Sequence, residues 1–391
     1  MFQLSPPSLS LYCNGGANLL GNNQFITINL HNIETAVRNI DFYDFLINGV
    51  ICFILTSSAL KFKVSDLQSH WKPISILATL ALVLCALFFG GLLFGFQYLM
   101  GSPVPILILL LLGSALGATD PIGIKGVLSS VRAPHHLMVK LEGESLFNDA
   151  MCIAVFMTLL NVLKGEKFSF IATLQTLFYE IVVAVIIGLA FGWLILRILR
   201  GKHEMESLIL TTALLACGSY LVALFAHASA PIACVIGGLI VGNKWNEILK
   251  EKEISEVNHF WHTVEGIINS FLFTLIGLEL FILDLSASLI FGGVVAFILL
   301  HVSRFAANYL AFAFFPSFRK KSYNGSLAII SWGGVRGGIS LALVLAVANL
   351  PQLTEYSSIL IGYTFIVVLL SFVFFVLVLP PVMNAFYYNP N

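Results

Sequence analysis

Two short stretches of this chain carry acids where acids are costly. Ala118-Thr119-Asp120-Pro121 and Glu142-Gly143-Glu144-Ser145-Leu146-Phe147-Asn148-Asp149 are flanked by the apolar runs Val104 to Leu116 and Ala150 to Leu163. A carboxylate set into membrane-length apolar sequence points to function. Asp120 precedes a proline, which disfavours helical dihedrals at Asp120 and removes the next backbone donor, so nearby carbonyls are expected to be free. Glu144, Ser145, Asn148 and Asp149 stand at offsets of one and four residues, which places them on one face of a helix. Asp149, Asp120, Thr119, Ser145 and Asn148 together offer two carboxylates, two hydroxyls and an amide oxygen. These are hard ligands for a small cation such as sodium, with no thiolate or imidazole for a transition metal. Burial makes a bare carboxylate unfavourable. A proton and a sodium ion then compete for Asp149, and a site that opens to one side at a time turns that competition into antiport. For Glu144 the pattern favours an ion pair with Arg336, because a lone guanidinium at that depth is too costly.

The elements that must hold these residues are membrane helices. Hydrophobic residues make up 58% of the 391, charged residues 10%, and the mean hydropathy is +0.94, far from a soluble domain. The expected fold class is an all-α polytopic membrane protein. Zero net charge gives no reason to expect nucleic acid as a partner. Cys52, Cys85, Cys152, Cys217 and Cys234 lie inside apolar segments without paired spacing, so they read as small buried hydrophobes, and no pattern calls for a cofactor.

Residues 1–41 are polar and lack the basic and apolar regions of a signal peptide, which leaves an extracytoplasmic tail or a remnant standing in place of helices. From residue 42 there are eleven apolar spans: 42–62, 73–99, 104–131, 138–163, 170–198, 205–226, 229–242, 258–283, 287–315, 325–350 and 356–383. The third, seventh and tenth carry helix breakers. Gly117 and Pro121 interrupt the third, Pro231, Gly237, Gly238 and Gly242 mark the seventh, and Gly333-Gly334 with Gly337-Gly338 interrupt the tenth. Interrupted helices survive in a bilayer only inside protein or along water, and a pair in the two halves of a chain marks a transporter's midplane site. If the spans alternate, fourteen of the twenty lysines and arginines fall on one side, from Lys61 and Lys63 to Arg319, Lys320 and Lys321. That side is the cytoplasm by the positive-inside rule, with the N-terminus outside and the C-terminus inside. The stretch Lys250 to Glu253 reads as a solvated link, and His135-His136 as part of a cytoplasmic loop.

The acidic segments, together with Gly333-Gly334-Val335-Arg336-Gly337-Gly338-Ile339-Ser340-Leu341-Ala342-Leu343, resemble the signature segments of the NhaP and sodium/hydrogen exchanger group of monovalent cation:proton antiporters. Asp41-Phe42 with Leu46-Ile47-Asn48-Gly49 resembles the third helix of bacterial members, and Leu272-Phe273-Thr274-Leu275-Ile276-Gly277-Leu278-Glu279 their tenth. The resemblance covers residues 41 to 385. It implies thirteen spans, two of them absent from this chain, and inverted repeats whose interrupted helices cross. It further implies a core (about 73–163 and 287–391), a scaffold (about 42–62 and 170–283) that forms a homodimer in the inner membrane, and no enzymatic activity. The site it implies is Asp149, Thr119 and Ser145, with Asp120 and Asn148 holding the crossing and Glu144 paired to Arg336. Asn148-Asp149, in place of two acids, implies electroneutral exchange of one cation for one proton.

Three features stand apart. Lys125 occupies a position that is usually aliphatic in the group, either as a snorkelling lysine or as a charge facing the funnel. Glu180, Glu265 and Asn269 lie in scaffold-like spans and either line a funnel or satisfy one another. Arg304, one turn from His301, is expected to pair with an acid or a carbonyl. The competing functional readings are a truncated, transport-inactive relative and an intramembrane hydrolase that uses Asp120 and Asp149 as an acid pair.

Overall fold

A computed structural model of the chain describes residues 50–119, 135–165, 170–201, 204–282, 286–313, 324–348 and 350–383, all within one compact unit, Asp41–Asn391. Residues 1–41, Asp120 and Lys125 lie outside the described residues. The helices follow the apolar spans in order: α1 Ile51–Lys61, α2 Val64–Ile76, α3 Leu82–Leu99, α4 Ile106–Ala115, α5 His135–Leu163, α6 Phe170–Ile198, α7 Met205–Phe225, α8 Ala230–Lys244, α9 Glu251–Ile282, α10 Ala287–Ala313, α11 Asn324–Trp332, α12 Gly338–Ala348 and α13 Ser357–Met383. A π-helical stretch, Leu77–Ala81, joins α2 to α3. Among the described residues six helical segments are long and apolar enough to cross a membrane, and three shorter apolar helices accompany them. Large apolar side chains point outward along these helices, Leu99 being 80% and Phe225 84% exposed, as lipid-facing surface requires.

Two expectations are corrected here. The seventh span is not interrupted: α8 runs unbroken from Ala230 to Lys244, with Pro231 in its first turn, where a missing donor costs nothing. Its glycines serve close packing instead. A Cβ on Gly238 would lie 2.7 Å from the Ala59 Cβ of α1, so the two backbones touch where side chains would hold them apart. Gly238→Ala is expected to cost about 1–3 kcal/mol by overpacking, read as a lowered thermal midpoint of the detergent-solubilised protein. The eighth span begins at Glu251 rather than at 258, because Glu253 Oε2 accepts from the Lys250 amide (2.8 Å) and caps the first turn. The stretch read as a solvated link is therefore a helix start.

α8 packs chiefly against α6 and α1, with α7 alongside. A second set joins α3 to α4 and α10, α10 to α13, and α4 to α5. Between α1 and α9 runs a buried polar contact: Glu265 accepts from Ser57 (2.9 Å), Ser58 (3.3 Å) and Lys61 (2.8 Å). Glu265 thus finds its partners on α1, not in Glu180 or Asn269. His135 opens α5 rather than lying in a loop, with Nε2 3.7 Å from the Asp66 carboxylate.

Candidate functional site

The third and tenth spans do break. α4 ends at Ala115, and after a turn at Leu116 and Gly117 the chain is non-helical through Ala118 and Thr119. Gly117 and Pro121 both disfavour a helix that continues through this stretch. α11 ends at Trp332, and Gly334 to Gly337 are non-helical before α12 starts at Gly338. Four glycines in six residues, each about 1 kcal/mol worse than alanine in a helix, weaken the segment at this point.

A helix end inside a membrane leaves carbonyls that need donors. α5 supplies them from one stripe. Ser145 Oγ donates to the Thr119 carbonyl. Asn148 Nδ2 donates to the Gly117 carbonyl at 2.8 Å and to Thr119 Oγ1 at 3.4 Å, and Cys152 Sγ to the Ser114 carbonyl at 2.9 Å. Positions 145, 148 and 152 recur at three and four residues, so successive turns of α5 meet successive carbonyls. Cys152 is therefore a donor as well as a buried side chain. From the other break, Arg336 Nη1 donates to the Gly117 carbonyl at 2.7 Å and the Ala118 carbonyl at 3.2 Å, and Ser340 Oγ reaches Ala118 at 3.5 Å. A guanidinium at the negative end of α4 also complements its dipole. The Arg336 amide is held in turn by Ser371 Oγ of α13 at 3.1 Å.

This arrangement changes two sequence-based expectations. The carbonyls after α4 are not free, for α5 and Arg336 occupy them. Nor is Arg336 the hydrogen-bonded partner of Glu144. Glu144 Oε1 accepts from Arg304 Nη2 at 2.6 Å, in a pair whose side chains are 3% and 7% exposed, and the same nitrogen donates to the Ile330 carbonyl at 3.3 Å. Arg304 fits because Gly334 has no side chain: a Cβ there would lie 2.7 Å from its Nε. Arg304 thus finds both an acid and a carbonyl, as expected for an arginine at that depth. Its pairing with Glu144 across 160 residues was the part sequence reasoning missed; the signal present was a second arginine in mid-span.

Thr119, Ser145 and Asn148 come together at the first break, all buried. Asp149, 3% exposed, follows Asn148 on α5, one turn beyond Ser145. Asn148 Oδ1 keeps an acceptor site without a hydrogen-bond partner among the described residues. Asp120 falls outside them.

With this geometry in place, likeness to known proteins decides the family. The profile of the family described as sodium/hydrogen exchanger, transmembrane, matches residues 22–385. The chain belongs to the sodium/hydrogen exchanger family. The match starts at residue 22, upstream of residue 41, where the resemblance was expected to begin. The chain is similar to the Na(+)/H(+) antiporter NhaP of Pseudomonas aeruginosa, 33% identical over 365 residues covering 91% of this chain and 84% of that one. It is similar as well to the Na(+)/H(+) antiporter NhaH of Halobacillus dabanensis, 28% identical with 90% and 86% covered. Its fold matches the sodium proton antiporter MjNhaP1 of Methanocaldococcus jannaschii, with a TM-score of 0.69 at 20% identity and 84% of each chain covered. The sodium/hydrogen exchanger chain is a polytopic membrane transporter and not an enzyme, which disposes of the hydrolase reading.

Arg336 ties the two breaks of this exchanger together, so its removal takes the charged donor from two buried carbonyls and leaves Gly117 only Asn148 and Ala118 only the 3.5 Å contact with Ser340. Arg336→Ala is expected to lower stability by about 2–3 kcal/mol, the size of a charged hydrogen bond lost from a buried group, with Arg336→Lys recovering part of it. The thermal midpoint of the purified protein checks both.

Proposed function

We propose that this chain exchanges sodium for protons across the membrane and that Asp149 is the one carboxylate for which both compete. Membership of the sodium/hydrogen exchanger family supports the exchange, and the relatives named above are Na(+)/H(+) antiporters. The observation that carries the site is the burial of Asp149, one residue after an amide and one turn after a hydroxyl that both bind the first break. A buried carboxylate is costly as a bare charge, and binding a proton or a sodium ion lowers that cost.

In this reading Thr119 and Ser145 lend oxygens to sodium. Asn148 and Asp120 hold the crossing, and Asp120 is a further oxygen ligand for the ion. Ser145 and Thr119 retain lone pairs after the hydrogen bonds described above, because a hydroxyl oxygen has two. One carboxylate swapping one monovalent cation for one proton moves no net charge, hence electroneutral exchange. α2 to α5 with α10 to α13 form the moving core and α1 with α6 to α9 the scaffold, a division that the packing of α8 on α6 and α1 supports. The scaffold pairs two copies into a homodimer in the plasma membrane, with the N-terminus outside and the C-terminus in the cytoplasm, as the distribution of lysine and arginine favours.

The test is proton flux in everted vesicles from an antiporter-deficient strain, followed by fluorescence dequenching on addition of sodium, lithium or potassium. Dequenching by sodium is the expected result. Verified insertion of the protein with no response to any of the three ions would overturn the proposal.

A further inference from the structure

Beside α10 a cavity of about 500 Å³, within the usual size of a small-molecule site, opens between that helix, the end of α11 and α13. None of the residues around Asp149 lines it. Its rim is half-exposed apolar surface of α10, Ile298, Val302 and Phe305, so it opens on the apolar, lipid-facing side of that helix. Its interior is an aromatic box. Phe374 lies with ring centroids 5.5 Å from Phe297, 5.2 Å from Trp332 and 5.4 Å from His301, and His301 is 4.3 Å from Phe297.

Two polar groups interrupt these apolar walls, and for a neutral imidazole their hydrogen-bond roles follow from their partners. His301 Nδ1 lies 3.0 Å from the Phe297 carbonyl, which can only accept, so in this arrangement Nδ1 carries the hydrogen and Nε2 is left as an acceptor. Ser331 Oγ accepts from Asn308 Nδ2 at 3.0 Å, and its own proton has no acceptor among the described residues. Among the described residues this leaves one acceptor and one donor unfilled in an aromatic cavity, which matches a single chemical group, a hydroxyl on a lipophilic ring.

We propose that this cavity binds a membrane-partitioned phenol, whose hydroxyl donates to His301 Nε2 and accepts from Ser331 while its ring packs among Phe297, Trp332 and Phe374. A bilayer acyl chain would suit the walls but leave both polar groups unmatched. The ligand would touch Trp332, the last residue before the second break, and would lie one turn from Arg304. The inference concerns binding and stands apart from the assignment of Asp149.

The experiment is photolabelling of the full chain in liposomes with a diazirine-bearing 4-alkylphenol and, in parallel, with its methyl ether, the labelled peptides being mapped by mass spectrometry. Labelling is expected on the peptides that carry His301 and Trp332, about fivefold stronger for the phenol than for the ether, as one buried hydrogen bond predicts. Ala306→Trp, which fills the cavity, should remove both labels. His301→Phe, which keeps an aromatic ring of similar size, should retain labelling and lose the preference. Should Ala306→Trp not survive purification, His301→Phe alone decides. Equal labelling by phenol and ether would mean an acyl-chain groove and overturn the proposal, as would a preference that persists in folded His301→Phe.

Discussion

Asp149→Ala is expected to abolish sodium-driven proton movement, by at least two orders of magnitude on the order of what one indispensable charge supplies, while the protein still inserts and purifies as a single species. The carboxylate is 3% exposed on a helix whose neighbouring residues, Ser145, Asn148 and Cys152, do the structural work at the break. Removing the acid leaves that stripe of donors intact. The vesicle assay, repeated with lithium and potassium, provides the check. Sodium-driven proton movement that persists in the variant would keep the exchange activity and move its site away from Asp149.

Arg304→Ala should be the most destabilising single change among the residues discussed. It strands a glutamate whose side chain is 3% exposed and frees the Ile330 carbonyl. Breaking one side of a buried pair costs about 3–5 kcal/mol, whereas replacing both sides by apolar groups is often neutral. The double change Arg304→Met with Glu144→Leu is therefore expected to recover most of what Arg304→Ala loses. A double-mutant cycle of thermal midpoints in detergent measures the coupling. An Arg304→Ala protein as stable as the parent would show that Glu144 is satisfied in another way.

What the sequence disclosed, and what it did not, follows from the range of the forces involved. A span announces itself through its own composition, and α5, α6, α7 and α10 lie within a few residues of the spans expected for them. The interruptions after Ala115 and Trp332 were legible too, because proline and clustered glycine act on their own backbone. Gly237, Gly238 and Gly242 misled for the same reason in reverse. In α8 their cause is a neighbouring helix, and a local pattern cannot distinguish a break from a close approach. At the site, the cost of burying Glu144 implied a cationic partner, but choosing between Arg304 and Arg336 required knowing which helices touch. Cys152 was invisible as a donor because a thiol among apolar neighbours reads as a hydrophobe until a carbonyl is seen beside it.

The bond between Arg336 and the Ala118 carbonyl joins residues 218 apart in the chain. At ribosomal speeds of about 5–20 residues per second, roughly 10–40 s separate the synthesis of its two ends. During that interval the first break lies in the membrane with Ser145, Asn148 and Cys152 already made but its guanidinium still unborn. Until Arg336 and Ser340 are made, the Ala118 carbonyl lacks both of the donors it has in the folded chain. Slowing translation between these two points should increase the fraction of chain degraded before it matures.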